Sequence, residues 1–154
     1  MEEKEEELVP RKRSIGGTNK RKGSNAERLY AIKFRQLGFD KCRTSREGSK
    51  LLDDCAVDLM FIPVLAQIKA GRQKGMNHSK TLKDIQDRIK EHFPSDALEQ
   101  FMPRILIHYK EAPFVKGEKR KRTEYDELVT MTFETFTKFL ISYTNDLQSQ
   151  SKHS

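Results

Sequence analysis

Apolar residues fall at helical spacing in some stretches of the 154-residue chain and alternate with polar ones in others. Behind Ser24, the residues Tyr30, Phe34 and Leu37 share one helix face and Gly38 supplies a stop, which predicts a helix from Ser24 to about Leu37. Leu82, Ile85, Ile89 and Phe93 predict a helix over Lys80 to Phe93, ended by Pro94. A last helix, capped by Thr132, carries Phe133, Phe136, Phe139, Leu140 and Tyr143. Strand character is predicted for Phe39 to Thr44, Ala56 to Ile62, Val64 to Lys69, Arg104 to Lys110 and Glu127 to Thr132. The second and third of these are hinged at Pro63 and read as a hairpin. Ser45 to Asp54, with Gly48-Ser49, is a polar loop; Asp96 to Phe101 reads as a short helix; Glu118 to Arg122 reads as a charged turn. There is no internal repeat. This order predicts an α/β fold with a mixed central β-sheet flanked by helices.

Charge and composition divide the chain. Residues 1–22 hold an acidic run followed by a basic one and little that is apolar, so they read as a disordered tail. Residues 23–145 form the expected domain, and 146–154 read as frayed. The formal charge of +7 implies an anionic partner, nucleic acid or acidic membrane. No apolar run approaches the ~20 residues of a spanning helix, and the acidic start lacks the apolar core of a secretory leader. The two cysteines, Cys42 and Cys55, have no Cys or His partners at zinc spacing. They read as small buried thiols in a reducing, cytoplasmic setting.

The candidate chemistry lies in four spaced residues: Glu27 on the first helix, Asp58 on a strand, and Gln67 and Lys69 on the next. Period-two geometry puts Gln67 and Lys69 on one face of their strand, and the hairpin can bring Asp58 beside them. Ser24 and Glu27 also have the spacing of a capping box, so a capping role for Glu27 stands beside a chemical one. Hydrolysing a phosphodiester requires charge stabilisation and an activated water, which a divalent ion on hard oxygens supplies. Asp58 is the natural ligand, with the Gln67 amide oxygen, the Ile68 carbonyl and Glu27 as further donors to Mg2+ or Mn2+. Lys69 is a point charge for the scissile phosphate. Asp53 and Asp54 read as solvated loop carboxylates. His78, His92 and His108 have no partners at metal spacing, and the Lys119, Arg120, Lys121, Arg122 cluster reads as either a solvated turn or a track for duplex DNA.

The set Glu27, Val57-Asp58 and Gln67-Ile68-Lys69 resembles the PD-(D/E)xK nuclease superfamily. Within it, Lys22-Gly23-Ser24-Asn25-Ala26-Glu27-Arg28, Gly38-Phe39 and Arg43-Thr44-Ser45-Arg46-Glu47-Gly48-Ser49 are similar to archaeal-type Holliday junction resolvases and their phage relatives. The resemblance covers about Lys22 to Gly71. It implies a restriction-endonuclease-like core, a magnesium-dependent endonuclease acting on branched DNA in a bacterial, archaeal or phage-infected cell, and often a homodimer. It would assign Arg28 and Arg43 to phosphate contacts and Ser49 to the active-site loop. The loop before Asp58 is longer than in the resolvase pattern. Gln67 stands where an acidic residue is usual, although Mrr-like restriction nucleases also carry Gln-x-Lys. Other outcomes are a restriction- or repair-type nuclease, and a nuclease-derived DNA-binding protein weakened at its metal site.

Overall fold

A computed structural model describes residues 15–71, 75–110, 117 and 126–151. The first helix, α1 (Ile15–Gln36), ends in a turn that its sequence dictates. Gly38 takes φ +102°, its N–H bonds the Arg35 carbonyl at 3.0 Å, and the Phe39 N–H bonds the Phe34 carbonyl at 3.1 Å. Phe34 and Phe39 then pack edge to face across the turn. This is the glycine-terminated helix end with its usual apolar contact. The start differs from expectation. Among the described residues α1 already runs from Ile15, ahead of Ser24, so residues 15–22 are helical. Gly16 and Gly17 weaken a helix but do not break it, and Lys20, Arg21 and Lys22 favour one.

Next come β1 (Arg43–Thr44), two short helices α2 (Ser45–Gly48) and α3 (Lys50–Asp54), β2 (Leu59–Met60) and β3 (Leu65–Ala70). The strand expected from Phe39 shrinks because the Cys42 N–H turns back to the Phe39 carbonyl at 2.8 Å. The polar loop folds into α2 and α3, the latter capped by Ser49, whose Oγ accepts from the Leu52 N–H. The Ala56 to Ile62 strand shrinks to β2, because Ala56 and Phe61 take φ of 60° and 63° and interrupt the extended chain. β2 pairs antiparallel with β1, not in a ladder with β3.

After β3 come α4 (His78–His92), a 3-10 turn (Leu98–Gln100), β4 (Arg104–Tyr109), β5 (Glu127–Thr130) and α5 (Phe133–Ser151). α4 starts at His78, two residues ahead of the expected Lys80, and Asn77 caps it, its Oδ1 accepting from the Lys80 N–H at 2.9 Å. The Thr132 cap forms as expected, its Oγ1 accepting from the Thr135 N–H. α5 runs on to Ser151, past the point expected to fray. Among the described residues, none of the helices is long and apolar enough to cross a membrane.

The fold is mixed α/β, with a three-stranded sheet in the order β3-β4-β5 and a separate pair β1-β2. β3 and β4 run parallel, joined by a crossover through α4, and β5 is antiparallel to β4. One face of the sheet packs Ala66, Ile68, Ile105 and Ile107 against Ala26, Tyr30 and Ala31 of α1. The other packs Leu65 and Leu106 against Leu82, Ile85 and Ile89 of α4. Cys42 and Cys55 are buried free thiols in these two layers.

Candidate active site

Asp58 is fastened to β3 at two points. Its N–H donates to the Ala66 carbonyl at 2.8 Å, and its Oδ2 accepts from the Ile68 N–H at 2.6 Å. The two bonds straddle Gln67. The Asp58 carbonyl accepts from the Ser45 N–H at 2.9 Å, which ties the start of α2 to the same place. Ala56 and Phe61 are the non-glycine residues with positive φ among those described, and they bracket the segment carrying Asp58. Such backbone costs of order 1 kcal/mol per residue. Here it turns the chain so that Asp58 meets β3 without a full hairpin ladder.

Gln67 and Lys69 alternate with Ala66 and Ile68, which face α1, and so share the opposite face with Leu65. The Gln67 Oε1 is closed off from solvent and has no hydrogen-bond partner among the described residues. An unmet acceptor of this kind costs about 1–3 kcal/mol. Lys69 stands in register with His108 of β4. His108 shares a hydrogen bond with Thr130 Oγ1 at 2.8 Å, and its ring meets that of His78 edge to face at 4.9 Å. Burial, then His78, then Lys69 lower the His108 pKa, which favours the neutral ring.

Glu27 lies twelve residues after Ile15, inside α1, so it caps nothing. It shares the buried side of the helix with Ala26, Tyr30 and Ala31 and is 4% exposed. Arg46 of α2 reaches it, with Nη2 at 3.0 Å from Glu27 Oε1 and Nε at 3.5 Å from Asp53 Oδ1. Burial, and then the nearby Asp58 charge, push the Glu27 pKa up from 4.5 to about 7 against the pull of Arg46. Burial raises Asp58 from 3.8 to about 6, opposed by the Ile68 N–H and by Lys69. Glu27, Asp53, Asp58, Arg46 and Lys69 therefore form one electrostatic group.

Among the described residues, no three His, Cys, Asp or Glu side chains are grouped so as to hold a metal. A cation here would have to draw on Asp58, the Gln67 amide oxygen, the Ile68 carbonyl and Glu27. These are hard oxygens of the kind magnesium prefers; Glu27 and Asp58 are close enough to act on each other electrostatically, whereas Gln67 lies on the sheet face turned away from α1, its buried Oε1 without a partner among the described residues.

The residues linked to DNA by resemblance are more scattered. Arg28 is 62% exposed and 3.8 Å from Glu47. Arg43 is exposed, with its guanidinium over the Phe61 ring at 5.3 Å. Ser49 caps α3. Lys119, Arg120, Lys121 and Arg122 lie outside the described residues. Asp54 is solvated and pairs with Lys50, as expected for a loop carboxylate, whereas Asp53 is drawn to Arg46. Arg46 was not marked by spacing. Its signal was indirect: Glu27 shares a helix face with Ala31 and Tyr30, and a carboxylate there requires a counter-charge. The chain matches no protein family, no curated protein and no solved structure.

Proposed function

We propose that the protein is a metal-dependent, structure-selective DNA endonuclease with a restriction-endonuclease-like core, acting on four-way junctions as a Holliday junction resolvase. The observation that carries this reading is the clamp of Asp58 across Gln67, whose buried amide oxygen has no partner among the described residues. Asp58, Gln67, Ile68 and Glu27 would hold the ion. A bound magnesium or manganese ion would supply Lewis acidity and a water of lowered pKa. Lys69 would neutralise the scissile phosphate. The net charge of +7 suits a polyanionic substrate. The α1-β1-α2-α3-β2-β3-α4-β4 order, with a 3-10 turn between α4 and β4 and with β3 and β4 parallel, supports the core assignment.

A second reading is a DNA-binding protein descended from a nuclease. It is favoured by the amide at Gln67 and by Arg46, which already neutralises Glu27. Cutting of a four-way junction and of linear duplex, with and without magnesium, separates these readings. Wild type is expected to cut the junction only with metal. Asp58→Asn should lose at least ~100-fold in rate, the scale of removing one catalytic electrostatic element, while binding DNA at least as tightly. Equal cutting of linear duplex would point to a restriction- or repair-type enzyme, and full activity in Asp58→Asn would remove the site.

A further inference from the structure

Arg46 has no part in the chemistry described so far. It follows the fully buried Ser45 in α2, yet its side chain turns onto carboxylates. One guanidinium meets Glu27 at 3.0 Å and Asp53 at 3.5 Å, and its charge lowers the pKa of both Glu27 and Asp58. These acidic groups come from α1, from α3 and from the segment entering β2. The two ends of the main contact differ in freedom. The Glu27 side chain is 6% exposed, whereas that of Arg46 is 43% exposed.

We propose that Arg46 is the built-in counter-cation of this site. It neutralises the carboxylates of the metal-free protein and leaves them for a backbone phosphate of the nucleic acid once a divalent cation is bound. This rests on the metal-dependent reading of Asp58 and Glu27. A guanidinium and a divalent ion on the same carboxylates repel each other, so one must yield, and the exposed side chain is the one able to move. Its planar fork matches two oxygens of a phosphate, which gives it a destination. Metal and DNA then bind cooperatively, and the coupling is reciprocal: each raises the affinity of the other by the same factor.

The test is manganese binding by calorimetry on the full chain, for wild type, Arg46→Gln and Asp58→Asn, with and without a junction oligonucleotide carrying uncleavable linkages. Without DNA, Arg46→Gln is expected to bind manganese about tenfold more tightly than wild type, in the ordinary range of coupling between sites. Adding the junction should tighten manganese binding by wild type and change little in Arg46→Gln. Unchanged or weaker manganese binding by Arg46→Gln, with binding lost in Asp58→Asn, overturns the role of Arg46 and leaves the metal site standing. No manganese binding by wild type or Arg46→Gln overturns both. If Arg46→Gln does not fold, Arg46→Lys serves instead. It keeps the charge but not the fork, and should retain wild-type manganese affinity while losing most of the coupling to DNA. Full coupling in Arg46→Lys overturns the proposal.

Discussion

Glu27 and Asp58 sit where the protonated form of a carboxylate is favoured, and this makes the stability of the metal-free protein depend on pH. Their folded pKa values, about 7 and about 6, lie above the ordinary values of 4.5 and 3.8. The folded state therefore binds more protons than the unfolded chain in this interval. The resulting stability is complete below about pH 4 and is lost as the pH rises through 6 and 7. In the presence of a chelator, the protein should unfold at lower denaturant concentration at pH 8 than at pH 5. Glu27→Gln should remove about 2–3 kcal/mol of that difference, and an unchanged pH dependence would mean that Glu27 is not held as described. Gln67 gives a second residue-scale prediction. An amide oxygen lacks the unit charge that a carboxylate would place roughly 2 Å from magnesium. Gln67→Glu should therefore lower the magnesium concentration for half-maximal cleavage, and wild type should prefer manganese. Cleavage by Gln67→Glu alone, with none by wild type under either metal, would favour the DNA-binding reading. At this scale the sequence was legible for residues fixed by strand alternation, such as Gln67 and Lys69. Arg46 and Asp53 were not legible, because their meeting depends on how α2 and α3 fold, and no periodicity marks that.

At the scale of elements, long amphipathic segments were readable and short ones were not. Leu82, Ile85 and Ile89 are all buried on one side of α4, and Gly38 closes α1 as its conformational freedom allows. β1 and β2, two residues each, are set by tertiary pairing rather than by propensity. The largest discrepancy was the expected hairpin, and Ala56 explains much of it. At φ 60° its Cβ is strained, whereas glycine would not be. The gain from relieving this strain and the entropy that glycine adds to the unfolded chain are similar in size. Ala56→Gly should then leave stability within about 0.5 kcal/mol of wild type. The same change at Ala31, in the interior of α1, should cost about 1 kcal/mol or more. Equal losses at both positions by denaturant titration would show that the turn before Asp58 does not require this backbone.

At the scale of the molecule, the exposed side of α5 bears on how a junction would be cut. Thr135 is the buried residue of this helix, while Phe133, Phe136, Leu140, Tyr143 and Leu147 are all exposed. Their spacing of three and four residues in alternation forms a narrow seam, the pattern that packs knobs into holes against another helix. A second copy of the chain suits it. Flanking positions Thr137, Phe139 and Thr144 are uncharged, so two like copies meet little repulsion there, and Asp146 is the charged flank. Leu98 and Phe101 are also exposed, and Phe101 lines a cleft with Phe139, which extends the apolar surface toward the ~800 Å² per partner of a stable interface. The homodimer implied by the resemblance is proposed to form along this seam. A four-way junction must be cut on two strands to be resolved, and two copies bring two Asp58 sites to it. Leu140→Asp with Tyr143→Asp should give a folded monomer by light scattering, since neither side chain is buried in the single chain. On a junction the monomer should leave nicked product where wild type gives paired cuts. Monomeric wild type at micromolar concentration, or paired cutting by the double variant, would rule out this seam as the basis of resolution.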